Sequence, residues 1–138
     1  MTDSRNLAEL ADIEPIPIWE GIRARRVEGE RMTLAIVELD PGAVAPEHTH
    51  PAEQHGMVLA GDLRFRVGDE ERLLRPGGTW RILSGVPHSA VAGPRGAVVI
   101  DVFTLVARTG TRSRRSTSRF RVGRARPPDG RRAAIALG

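Results

Sequence analysis

From residue 20 onward the apolar positions come in short runs, some alternating with polar residues and some continuous, each closed within a few residues by glycine, proline or aspartate. Period-two alternation is the signature of a strand with one buried face, and short unbroken apolar runs fit strands buried on both. The pattern predicts strands near 22–28, 31–39, 54–60, 62–67, 71–75, 79–83, 88–92 and 97–106. The interruptions are turn-forming sequences: Glu28-Gly29-Glu30, Asp40-Pro41-Gly42, Ala60-Gly61-Asp62, Gly68-Asp69-Glu70, Pro76-Gly77-Gly78, Ser84-Gly85 and Gly93-Pro94-Arg95-Gly96. No helical span of twelve residues competes, so the expected fold is all-β, a sandwich or barrel. Ahead of it, residues 1–19 read as a lead-in: a possible short helix from Asn6 to Asp12, then Pro15 and Pro17, which lack the backbone donors to continue one.

The chain has 138 residues, enough for one domain with a sizeable core. It contains no cysteine, which removes disulfides, thiolate metal sites and cysteine nucleophiles together. Any metal must rest on imidazole, carboxylate or amide ligands. The first 20 residues carry acids throughout and no signal-like apolar core, and no apolar stretch approaches the roughly 20 residues of a membrane span, so a cytoplasmic protein is expected.

The net charge of +4 suggests a nucleic-acid partner until it is divided along the chain. All 21 basic residues are arginine, and 10 of them lie in residues 108–138 beside a single acid, Asp129, giving that stretch +9. Residues 1–107 hold 11 arginines against 16 acids, a net −5. The expected organisation is therefore an acidic β-domain over 20–107, followed by an Arg-, Ser- and Thr-rich tail with too little apolar surface to offset its ordering entropy. Phe120 is the tail's one aromatic, so a base-stacking platform is not expected there, and nucleic-acid binding is confined to a possible role of the tail.

All four histidines fall in the acidic part. In Pro46-Glu47-His48-Thr49-His50 two imidazoles two residues apart share one face of an extended chain and can share a metal. Gln54 lies at the same parity, whereas Glu53 and His55 fall on the opposite one. His55 is then an exterior or interface residue. His88, in Gly85-Val86-Pro87-His88, could join from a neighbouring strand. A lone H-x-H pair in a β-protein is more often structural than ligating, so the wider spacing carries the argument.

Gly42, five residues, His48-x-His50, three residues, Gln54, six residues and Gly61 together resemble the first motif of the cupin superfamily, with every interval matched. Gly77, five residues, Leu83, Ser84, Gly85, two residues and His88 resemble the second, with Leu83 in place of its proline and Ala92 in place of its asparagine. The resemblance covers about residues 30–106. It implies a double-stranded β-helix, a jelly-roll barrel, holding one divalent transition metal (Zn, Ni, Mn or Fe) on His48, His50, Gln54 and His88. It also implies a small-molecule substrate and a homodimer. Where the family usually has glutamate, Gln54 is a neutral and weaker donor, which favours Lewis-acid chemistry over oxygen activation at iron.

The stretch from Gly93 to Phe103 is similar to the last strand of the small cupin that converts unsaturated uronates to open keto forms. That similarity implies Asp101 as proton carrier, Phe103 as a pocket residue and a catalytic arginine, for which Arg108 stands one position late. Trp80 is either a stacking surface for substrate or core. The expected function is metal-dependent isomerisation or tautomerisation of a small oxygen-rich substrate such as an unsaturated uronate. Polyketide cyclisation, metal-dependent dioxygenation and metabolite sensing without turnover are the alternatives. Pocket polarity separates the first two substrates: a uronate calls for an arginine, a polyketone for an apolar lining.

Overall fold

The computed structural model describes residues 6–104. Arg108 and the rest of the arginine-rich stretch lie outside these residues. Eight strands follow one another: β1 (Ile16–Trp19), β2 (Ile22–Glu28), β3 (Met32–Leu39), β4 (Val44–His48), β5 (Glu53–Val67), β6 (Glu70–Leu74), β7 (Thr79–Ile82) and β8 (His88–Thr104). They pair in the order β1-β2-β3-β8-β5-β6, with β4 on β8 and β7 on β5, every pairing antiparallel. The all-β expectation holds. Among the described residues no helix is long and apolar enough to cross a membrane.

Three local expectations need correction. The helix over Asn6–Asp12 is reduced to one 3₁₀ turn, Leu10–Asp12, with no buried residue to anchor it. The Ile-Pro-Ile lead-in is itself a strand, β1, pairing only with β2; at this edge of the sheet Pro17 costs no ladder bond on its open side. The four strands expected at 54–60, 62–67, 88–92 and 97–106 are two, since β5 and β8 run unbroken through Gly61 and through Gly93–Gly96.

A bulge explains the last difference. Gly61 and Gly96 both have positive φ, 75° and 76°, and a Cβ on Gly61 would overlap the Gly96 carbonyl oxygen. The same glycine chemistry that closes a turn also bends a strand pair without ending it. The register slips on both sides of Gly61, and there β5 and β8 bend together. The bend lets β8 pair with β4 through its first residues and with β3 through its last.

The inner faces carry the core: Ala35, Val37 and Leu39 of β3, Val58, Leu63 and Phe65 of β5, Trp80 and Ile82 of β7, Ala97, Val99 and Phe103 of β8. The polar side chains His50, Gln54, His88 and Asp101 are buried with them. Buried polar groups are costly unless partnered, so the way these are held matters.

Candidate metal centre

Strand pairing assembles the site. His48 ends β4 and is the direct cross-strand partner of His88, which opens β8. His50 follows β4 in the bend that leads into β5, and Gln54 is the second residue of β5. The three imidazoles converge, with ring centroids 4.2 Å apart for His48 and His88, 4.8 Å for His50 and His88, and 5.8 Å for His48 and His50. Their potential ligand atoms all lie within 4.8 Å of one another.

Each ring is turned the same way. His48 Nδ1–H donates to the Pro46 carbonyl at 2.7 Å, His50 Nδ1–H to Ala52 at 2.9 Å and His88 Nδ1–H to Val86 at 2.9 Å. A carbonyl can only accept, so Nδ1 carries the proton in all three and Nε2 presents a lone pair. His88 Nε2 is buried and has no hydrogen-bond partner. His50 Nε2 stands 3.0 Å from Gln54 Oε1, and that amide is oriented from its other end, where Nε2–H donates to Asp101 Oδ1 at 2.8 Å. Two lone pairs therefore face each other at hydrogen-bond distance, an arrangement that a cation between them relieves. Burial, the leading cause, holds His48 down to about 4 and His88 to about 3, and lowers His50 as well, so a proton is a poor candidate for that cation. Three imidazoles and an amide oxygen fit a divalent transition metal. Glu53 instead sits at the surface beside His55, 3.5 Å away.

Asp101 is held from both sides of β5. Gly56 pairs with Asp101 on β8 and with Trp80 on β7, so the two side chains flank a residue that has none. Trp80 Nε1–H reaches across and donates to Asp101 Oδ1 at 2.8 Å. A Cβ on Gly56 would overlap both Asp101 Oδ1 and Trp80 Nε1. Both of Asp101's bonds fall on Oδ1. Desolvation raises its carboxyl to about 6 in spite of these two donors.

A cavity of about 50 Å³ opens beside the cluster, reached by His48, His88, Gln54 and Asp101, with walls from Trp19, Leu39, Phe65, Trp80 and other apolar side chains. Trp80 is thus both core and cavity wall. Phe103 is fully buried and packs against the His50 ring, 5.8 Å between centroids, and is not among the side chains lining the cavity. Trp19, which the sequence pattern did not single out, lies over His48 at 4.9 Å. An aromatic residue that ends a Pro-containing edge strand was the available signal.

The neutral histidines imply a pH dependence for the metal-free protein. Their folded values lie below 6.5, so between pH 6.5 and about 4 the unfolded chain binds protons that the folded chain refuses, and stability falls as pH falls. Asp101 works the other way below pH 6, because its folded carboxyl is the one that takes up a proton early. Three histidines outweigh one aspartate. Each proton of net difference is worth about 1.4 kcal/mol per pH unit, so urea midpoints of the apoprotein should drop steadily from pH 7 to 5. A flat profile would show that the rings are not buried neutral.

Comparisons with known proteins agree with this architecture. The sequence model of the family described as "Cupin domain" matches residues 35–103, half of the chain. An RmlC-like cupin from Shewanella frigidimarina NCIMB 400 superposes with a TM-score of 0.70 at 22% identity, covering 80% of this chain and 100% of that one. KdgF from Halomonas sp. superposes at 0.64 with 27% identity, covering 70% and 90%. TT1209 from Thermus thermophilus gives 0.53 and 27%, covering 76% and 96%. No protein of curated function matches the sequence. With the matched segment running from the inward face of β3 through every candidate ligand to Phe103, the chain belongs to the cupin family.

Proposed function

We propose that the protein is a metal-dependent enzyme of non-oxidative type that moves a proton between oxygen and carbon of a small chelating substrate, an isomerase or tautomerase. One observation carries the reading: a buried carboxyl, Asp101, pinned through Gln54 to the imidazole cluster and raised to about 6. A carboxyl poised near working pH is suited to take and return a proton, and such groups concentrate at functional sites. His48, His50, His88 and Gln54 would hold the metal, which when bound draws charge from the substrate's oxygens and makes its hydroxyl more acidic. Trp80 and Gln54 fix Oδ1, leaving the other carboxylate oxygen for proton transfer. In an enol-to-keto conversion Asp101 accepts the proton as the O–H bond breaks and returns one as the new C–H bond forms. Oxidation state does not change. Asp101 is itself buried, which limits the access of bulk water to that proton. The neutral Gln54 supports this chemistry over dioxygenation.

The test is solvent exchange. Protein loaded in turn with Zn, Ni, Mn or Fe is incubated in D₂O with a 4,5-unsaturated uronate and with a linear polyketone, and deuterium at the enolisable carbon is followed by NMR. Metal-dependent incorporation is expected. Oxygen consumption in its place would overturn the reading in favour of a dioxygenase, and saturable binding without exchange in favour of a sensor.

A further inference from the structure

We propose that the site takes a substrate whose chelating oxygens stand at one end of an apolar body bearing no second charge. The proposal rests on the metal-centred reading above and adds the substrate class. The cavity's polar lining is His48, Gln54, His88, Asp101 and Ser89, of which the first four belong to the imidazole cluster and its hydrogen-bonded carboxyl. Most of the remaining lining is apolar, including Ile22, Val37, Leu39, Leu63, Phe65 and Val99. Among the described residues lining the cavity there is no arginine.

Cations do occur nearby, on the other side of an aromatic wall. Phe65 and Trp80 stack with centroids 4.5 Å apart and an interplanar angle of 32°. They border both the inner cavity and a separate outer groove of about 320 Å³, where Arg72 and Arg81 lie beside Glu70 and Glu71. Register accounts for Arg81, and the exposed edge position for Arg72. Arg81 pairs with His55 on the outward face of the sheet, and Arg72, opposite Phe65, sits on the edge strand β6. Beyond the cluster the described lining offers no cation and, as donors, only Ser89 and the buried, unpartnered Trp19 Nε1–H. A carboxylate on the far end of a bound substrate would exchange its water for at most these neutral groups, a cost that an aliphatic end does not meet. A neutral ligand set tolerates the charge of a chelating head, so discrimination falls on the body.

Two acids with the same chelating head and chain length isolate that property. 2-Oxopentanoate ends in a methyl group and 2-oxoglutarate in a carboxylate. Full-length protein loaded with nickel(II) is titrated with each by calorimetry, the nickel absorption bands reporting entry at the metal. 2-Oxopentanoate should bind at least about tenfold more tightly, a modest share of the cost of burying an unpaired charge. Equal or tighter binding of 2-oxoglutarate, with shifted nickel bands, overturns the substrate class and leaves the metal centre standing. Failure to retain nickel, or bands and heats unchanged by both acids, overturns the metal-centred reading and the proposal with it.

Discussion

Replacing His88 with alanine should reduce bound metal from near-stoichiometric to background while leaving the apoprotein folded. His88 supplies the one imidazole nitrogen in the cluster that is buried and has no protein partner, so its lone pair has no other role to fall back on. Changing a group that merely supports a metal ligand typically costs 10–100-fold in affinity; removing the ligand itself should cost more than about 100-fold. The apoprotein would lose a ring whose unmet Nε2 is itself a liability of roughly 1–3 kcal/mol, which offsets part of the cavity left behind. Loss of metal with little loss of apo stability is therefore the expected signature. His48→Ala should behave alike on metal, but it also strips the contact with Trp19 and so should perturb the β1 edge. Metal analysis after loading and desalting, beside denaturant midpoints without metal, reads both quantities. Equal metal content in wild type and both variants would remove the site.

The reach of the sequence differed between fold and site for physical reasons. Alternation along β3 and the last half of β8 was legible because each faces core on one side and the exterior on the other, and burial there follows residue parity. Gly61 and Gly93–Gly96 misled because positive φ is required equally by a turn and by a bulge, and only cross-strand register tells them apart. β4 escaped notice because Val44–His48 contains Pro46 and no buried apolar residue, its pairing being set by the histidine it delivers to His88. The parity of His48, His50 and Gln54 is a local property and could be read directly. The Trp80–Asp101 bond could not. It depends on Gly56 standing between them on an intervening strand, a relation among residues 80, 101 and 56 that exists only once three strands are in register.

Asp101→Asn should abolish turnover and keep the metal. Asparagine has nearly the same shape, and its Oδ1 can still accept from Trp80 Nε1–H and Gln54 Nε2–H, so the amide of Gln54 should stay turned with its oxygen toward His50. What is lost is the capacity to bind and release a proton near pH 6. General acid–base groups are commonly worth 10²–10⁴ in rate, so exchange at the enolisable carbon should fall by about that factor with metal occupancy within twofold of wild type. Removing a buried carboxyl that is desolvated and only partly compensated should also leave the apoprotein no less stable at neutral pH. A structural Asp101 predicts the opposite pair of results, namely lower stability or metal content and exchange reduced only in proportion. Gly56→Ala serves as the complementary perturbation, since its Cβ would displace Asp101 and Trp80 while leaving every ionisable group in place. If proton transfer is what matters, Gly56→Ala should retain measurable exchange with impaired substrate affinity, whereas Asp101→Asn should bind substrate and fail to exchange. Exchange by Asp101→Asn within a few-fold of wild type would take the proton-carrier role away from this residue.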